Sequence, residues 1–115
     1  MSILTAELLT SFESSIDTSE NSDTLPAEIY TSEEFLDFER RALFDHEWLC
    51  VGLASEIPRP GDWFTKTVNG EPVIVVHGKD GELRALSAVC QHRAMQVCEG
   101  AGNDTKFTCP YHHWS

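Results

Sequence analysis

The sequence predicts a mainly β protein, a small antiparallel sheet domain preceded by an N-terminal helical extension. Three observations carry that expectation. The apolar period changes from helical to strand-like near Trp48, the turn pairs Asn69-Gly70 and Asp80-Gly81 punctuate short β-rich runs, and the acidic residues crowd into the first part of the chain. With 115 residues, 41% hydrophobic and 10% aromatic, the chain has material for one domain with an ordinary core.

The net charge of −11 is unevenly distributed: residues 1–47 hold twelve acids and two bases, residues 48–115 seven and six. Such a balance argues against nucleic acid and anionic membrane as partners, because phosphate binding needs clustered Lys and Arg. The acidic stretch reads as a solvated tail and helix face. "MSILTAELLTSFESSID" lacks a basic start and a long apolar run, so neither a secretory signal nor a membrane span is expected, and the expected location is cytoplasmic. In that reducing setting the four cysteines read as metal ligands or buried thiols rather than disulfides.

Three segments are expected: an acidic, partly disordered extension over 1–29, a helix over 30–47 that docks on the next domain, and a sheet domain over 48–115. Leu4, Leu8, Phe12 and Ile16 recur at helical spacing before the polar stretch "DTSENSDT", where disorder is expected. In "YTSEEFLDFERRALFDHEW", Thr31 is placed to cap, Glu34 to complete a capping box, and Tyr30 with Phe35 to form a staple. Phe35, Phe38 and Ala42 then form the apolar stripe.

From Trp48 the pattern is that of strands. "WLCVGL" reads as a buried run and "EIPRPGDW" as a connection. "DWFTKTV" turns through Asn69-Gly70 into "PVIVVHG", and Asp80-Gly81 leads on to "ELRALSAV", which delivers the chain to Cys90. "KFTC" reads as a last short strand delivering Cys109.

The final stretch, "CQHRAMQVCEGAGNDTKFTCPYHHWS", concentrates three cysteines and three histidines. Cys90-Gln91-His92 and Cys109-Pro110-Tyr111-His112 are separated by sixteen residues. Two thiolates and two imidazoles suit one tetrahedral zinc, or a [2Fe–2S] cluster with cysteines on one iron and histidines on the other. Spacing alone leaves both open. A single residue between Cys90 and His92 is tight for two ligands on one ion, and placing them on different irons relaxes that constraint.

"CQHR" and, after sixteen residues, "CPYHHW" resemble the Rieske [2Fe–2S] motif, Cys-x-His followed by Cys-x-x-His. The likeness extends upstream through "WLCVGLASEIPRPGDWFTKTVNGEPVIVVHGKDGELRALSAVCQHR", which is similar to the N-terminal Rieske domain of ring-hydroxylating oxygenase α subunits. It covers Tyr30 to Ser115. Rieske proteins of respiratory cytochrome bc complexes carry an extra disulfide-bonded cysteine in each ligand loop. Here Tyr111 stands in that place and Cys98 has no matching partner, so the resemblance implies an oxygenase-type or ferredoxin-type cluster. Two positions depart from the commoner oxygenase wording: Ala94 and His113 stand where glycine is frequent.

The resemblance implies that Cys90, His92, Cys109 and His112 hold a [2Fe–2S] cluster, with Arg93, Tyr111, His113 and Trp114 around them. It implies an electron relay, fed by a ferredoxin or reductase and discharging to a mononuclear non-haem iron in the catalytic domain of a neighbouring α subunit. A stand-alone Rieske ferredoxin is the alternative reading, and a structural zinc module the third. An oxygenase α subunit continues into a catalytic domain with a two-His, one-carboxylate iron, and no acid follows His112 here. The chain is therefore expected to be an N-terminal piece of an oxidoreductase, inactive alone, whose second ligand loop is weakly held. Cys50 is expected to be a buried structural thiol and Cys98 a free packing thiol. His46 and His77 read as a helix-end and a hairpin residue.

Overall fold

Thr5 opens the first helix by accepting a hydrogen bond from the Leu8 amide (3.1 Å). The computed structural model describes residues 3–17 and 20–115, and the chain divides into two units, Met1–Leu49 and Cys50–Ser115.

In the first unit, helix α1 (Ala6–Ser11) buries Leu8, and a short 3-10 turn, Glu13–Ser15, follows. Ile16, expected on the same stripe, lies beyond the helix and is exposed. The disorder expected of 17–24 falls in part on Thr18 and Ser19, outside the described residues. On the far side of that stretch the Asp23 amide donates to the Ser14 carbonyl (3.0 Å), and the Ser15 hydroxyl to the Thr24 carbonyl (3.1 Å).

The next helix starts one residue later than its sequence signals. Thr31 ends a single turn, α2 (Glu28–Thr31), and Ser32 is the cap of α3 (Glu33–Glu39), accepting from the Phe35 amide at 3.1 Å. Ser and Thr are near-equal caps. The Thr31 hydroxyl is instead used to donate back to the Ala27 carbonyl (3.2 Å), and Tyr30 is left exposed, so no staple forms. Phe35 is buried and packs on Phe38 with ring centroids 5.8 Å apart. A π turn over Arg40–Phe44, marked by the Asp45 amide donating to the Arg40 carbonyl, then alters the helical phase. Ala42 thereby points to solvent and Phe44 is the half-buried residue.

The second unit is built on a four-stranded antiparallel sheet in the order β3-β2-β1-β4, with β1 Asp62–Val68, β2 Glu71–His77, β3 Leu83–Ser87 and β4 Ala101–Asn103. Asn69 and Gly70 both take positive φ (46° and 90°), the primed turn that matches strand twist, and they set the register Val68↔Glu71 to Trp63↔Val76. The β2–β3 loop closes with the Gly78 amide on the Glu82 carbonyl and Arg84 paired with Asp80 at 2.6 Å.

Two strand expectations fail. Trp48–Leu53 forms no strand: no described strand pairs with this run, Trp48 is fully exposed, and Cys50 is exposed rather than buried. "KFTC" is also irregular. The fourth strand is Ala101–Asn103, whose Gly102 lies against the Trp63 indole so closely that a Cβ would sit 3.0 Å from it.

Trp63, Ile74 and Ala88 form the core, with Val76, Cys98 and Phe107 against it. Trp63 is the hub. Its Nε1 donates to Asp104 Oδ2 (2.8 Å), and the Phe107 ring meets it edge-on at 5.6 Å. The span that separates the two cysteine–histidine loops is thus clamped to the sheet from within.

Candidate metal centre

Each cysteine–histidine pair sits on a tight turn, and the two turns share one hydrogen-bond frame. In the first, the Cys90 amide donates to the Met95 carbonyl (2.8 Å) and the Ala94 amide to the Cys90 carbonyl (2.9 Å). In the second, the Cys109 amide donates to the Trp114 carbonyl (2.7 Å) and the His113 amide to the Cys109 carbonyl (3.0 Å). The residue four after the cysteine is left-handed in both, Ala94 at φ 55° and His113 at φ 60°. These are the two positions at which the sequence departs from glycine. The strain belongs to the backbone frame.

The frame sorts the four groups by depth. Cys90 and Cys109 are buried, Cys109 almost completely, and both line the same cleft. His92 and His112 stand at the exposed rim with ring centroids 4.6 Å apart, edge to face. The arrangement is two pairs rather than one tetrahedron. Among the described residues no three His, Cys, Asp or Glu side chains converge on a single ion. A cleft of about 300 Å³, lined by Ile74, Leu86, Phe107 and Trp114, opens onto both thiols.

Electrostatics separates the cysteines. The Tyr111 amide is the main influence that pulls the Cys109 thiol below its usual range; burial opposes it, and the Cys90 side chain and the His112 amide assist. Burial pushes the Cys98 thiol up, and the nearby Asp104 charge adds to this. The Cys109 thiol is thus the one whose ionised form the surrounding amides favour. Cys98 is set up as a neutral packing group among Trp63, Ile74 and Ala88.

Of the surrounding residues expected from sequence, two touch the imidazoles. The Trp114 indole stacks on His92 at 4.7 Å and 5°, and the Tyr111 ring lies 3.8 Å from that of His112. Arg93 is exposed, with no ion pair among the described residues, and His113 contributes its backbone. His46 is exposed. His77 is more than a hairpin residue, since its Nδ1 lies 2.9 Å from the Ile57 carbonyl and ties β2 to the connection before β1.

Sequence reading missed the residues that fix the span between the loops. Asp62 is buried and accepts from Asn103 Nδ2 (2.7 Å) and the Arg59 amide (2.9 Å), which hold its carboxyl below the usual range, Asn103 foremost. Asp104 and Phe107 hold Trp63. An aromatic residue two before Cys109 was the available signal for Phe107; nothing local marks Asp104.

Residues 47–115 match the Rieske [2Fe-2S] domain family. The carnitine monooxygenase oxygenase subunit of Acinetobacter baumannii is 40% identical over 93 residues, 80% of this chain and 25% of that protein. The biphenyl 2,3-dioxygenase α subunit of Rhodococcus jostii is 38% identical over 97 residues, 84% and 21%. Among solved structures, naphthalene 1,2-dioxygenase from Rhodococcus sp. bound to indole superposes with a TM-score of 0.78 at 35% identity, covering 97% of this chain and 26% of that one. The chain spans about a quarter of the length of the curated relatives it matches.

Proposed function

This chain belongs to the Rieske [2Fe–2S] domain family, and from that premise we propose that it is the electron-relay domain of a Rieske non-haem iron oxygenase α subunit, with Cys90, Cys109, His92 and His112 as the cluster ligands. One observation carries the ligand assignment: the four groups lie as a buried thiol pair and a rim imidazole pair. A binuclear centre with thiolates on the inner iron and imidazoles on the outer one fits that division. A single zinc, which needs all four at one point, does not.

When bound, the cluster supplies a one-electron store, with a potential raised by neutral imidazoles in place of two thiolates. The chain's own part is to hold and to shield. The Tyr111 and His112 amides stabilise charge on Cys109 Sγ, and the sheet beneath keeps water from the sulfurs. At the rim, each histidine would use one ring nitrogen as ligand and leave the other available for a hydrogen bond. That edge would face the electron partners, a ferredoxin or reductase as donor and the catalytic domain of a neighbouring α subunit, with its mononuclear iron, as acceptor. Relatives acting on carnitine and on biphenyl match with near-equal identity. The domain therefore suits the relay shared by both types rather than one substrate.

A cytoplasmic location belongs to the same reading, supported by four free cysteines; among the described residues no helix is long and apolar enough to cross a membrane. The test is anaerobic reconstitution followed by absorption and EPR spectroscopy. A reduced-state EPR signal with two coupled histidine nitrogens is expected. A spectroscopically silent protein that retains zinc overturns the proposal.

A further inference from the structure

We infer that Trp114 is a positioning residue: its indole, carried by the second loop, fixes the ring plane of His92 in the first. The inference rests on the ligand assignment proposed above. Histidine ligands are normally oriented by a hydrogen bond from the ring nitrogen that does not bind metal. Among the described residues neither His92 nor His112 has such a bond, and His92 stands exposed at the rim. Within this chain two rings lie against it. The Trp114 indole covers one side, parallel within 5° at 4.7 Å, and His112 meets it at 4.6 Å and 68°. A parallel stack at that separation constrains tilt of the imidazole and leaves its in-plane nitrogens free.

The brace runs in one direction. Position five after the cysteine is Trp114 in the second loop and Met95 in the first, and both carbonyls accept from their own cysteine amides. Met95 is 44% exposed and has no plane to offer. The Trp114 backbone is fixed by the Cys109 amide at 2.7 Å while its side chain crosses to the other loop. Trp114 thereby couples closure of the second loop to the orientation of His92.

The experiment compares the full chain with its Trp114→Leu and Trp114→Phe forms, histidines labelled with nitrogen-15. In the cluster-free protein, NMR should show His92 ring protons shifted upfield by the indole, with that shift lost in the leucine form and partly kept in the phenylalanine form. In the reduced, loaded protein, pulsed EPR should show one of the two histidine-nitrogen couplings broadened by leucine, the other unchanged, and both sharp again with phenylalanine. Unchanged ring-proton shifts in the leucine form, or a phenylalanine form that behaves like leucine, would overturn the inference. Failure of the unsubstituted chain to take up a cluster would count against the proposed function alone, because the cluster-free NMR comparison still reads the His92 ring. A leucine form that loads poorly while the phenylalanine form loads fully supports the inference.

Discussion

In the loop that follows Cys90 the backbone is fastened to the sheet on both sides, whereas the approach to the loop that follows Cys109 is fastened by one backbone bond and by side chains. Before the first loop the Ala88 amide donates to the Pro72 carbonyl, and after it the Val97 amide returns to the Ala88 carbonyl and Gln96 bridges to Val89. Before the second loop the last backbone bond is that of the Asp104 amide to the Gly61 carbonyl (3.0 Å), and the side-chain anchors are the Asp104 carboxylate on the Trp63 indole and the Phe107 ring against it. The turns themselves are alike to the last amide. One backbone frame is thus supported by a ladder in one place and by aromatic packing in the other, so side-chain changes should unfasten the two loops unequally.

The largest effect tests whether the two loops act as one site. Cys90→Ser, Cys109→Ser, His92→Ala and His112→Ala should each abolish cluster assembly, read as bound iron and sulfide. Cys98→Ser and Cys50→Ser should leave both contents intact, since Cys98 is a neutral packing thiol and Cys50 is exposed. Loss of the cluster in Cys98→Ser alongside its retention in His92→Ala would reverse the assignment.

Next in size is Trp63→Ala, which removes the hub of the second loop's support. A buried tryptophan truncated to alanine costs about 3–5 kcal/mol, measurable by chemical denaturation. Hydrogen exchange sharpens the comparison: the Cys109 and His113 amides should lose more protection than the Cys90 and Ala94 amides. Equal loss would mean that the loops share one support.

The same contrast explains what could be read before the structure. The hairpin from Asp62 to His77 was legible because Asn69-Gly70 fixes a primed turn and the flanking residues are β-branched or aromatic. The candidate site stood out because cysteine and histidine at short spacing have few other uses. Trp48–Leu53 was misread because an apolar run becomes a strand only where a neighbouring strand takes its hydrogen bonds, and sequence pattern reports apolarity alone. Ala101–Asn103 went unseen for the complementary reason: three residues without β preference are strand only because Asp62, Trp63 and Phe64 lie beside them. Ala94 and His113 were visible as departures from glycine, but only their φ values showed what glycine would do there.

Those two positions give a smaller effect and a test of the shared frame. Ala94→Gly should stabilise the chain by up to about 1 kcal/mol, the relief of a left-handed alanine less the added entropy of the unfolded glycine. His113→Gly should give less, because histidine visits that region more readily. Thermal melts of both forms decide it, and a loss of stability in Ala94→Gly would mean that the frame differs from the one described.

The smallest effect is a pH dependence, and it bears on the second loop. Asp62 ties Asn103, in the strand that leads toward Cys109, to the Arg59 amide before β1, and its carboxyl is held below the usual range mainly by Asn103. A carboxyl whose folded pKa lies below its unfolded value, about 3.9, contributes stability that is complete above the unfolded value and lost as pH falls through the folded one. The melting temperature of the unsubstituted chain should therefore exceed that of Asp62→Asn at neutral pH, and the gap should close on acidification below about pH 4. Because Asp62 lies on the path to the second loop, the Cys109 and His113 amides should lose protection at a higher pH than the Cys90 and Ala94 amides. Simultaneous loss at all four would show that Asn103 serves β4 alone, with the second loop held by Trp63 and Phe107 without help from the carboxylate.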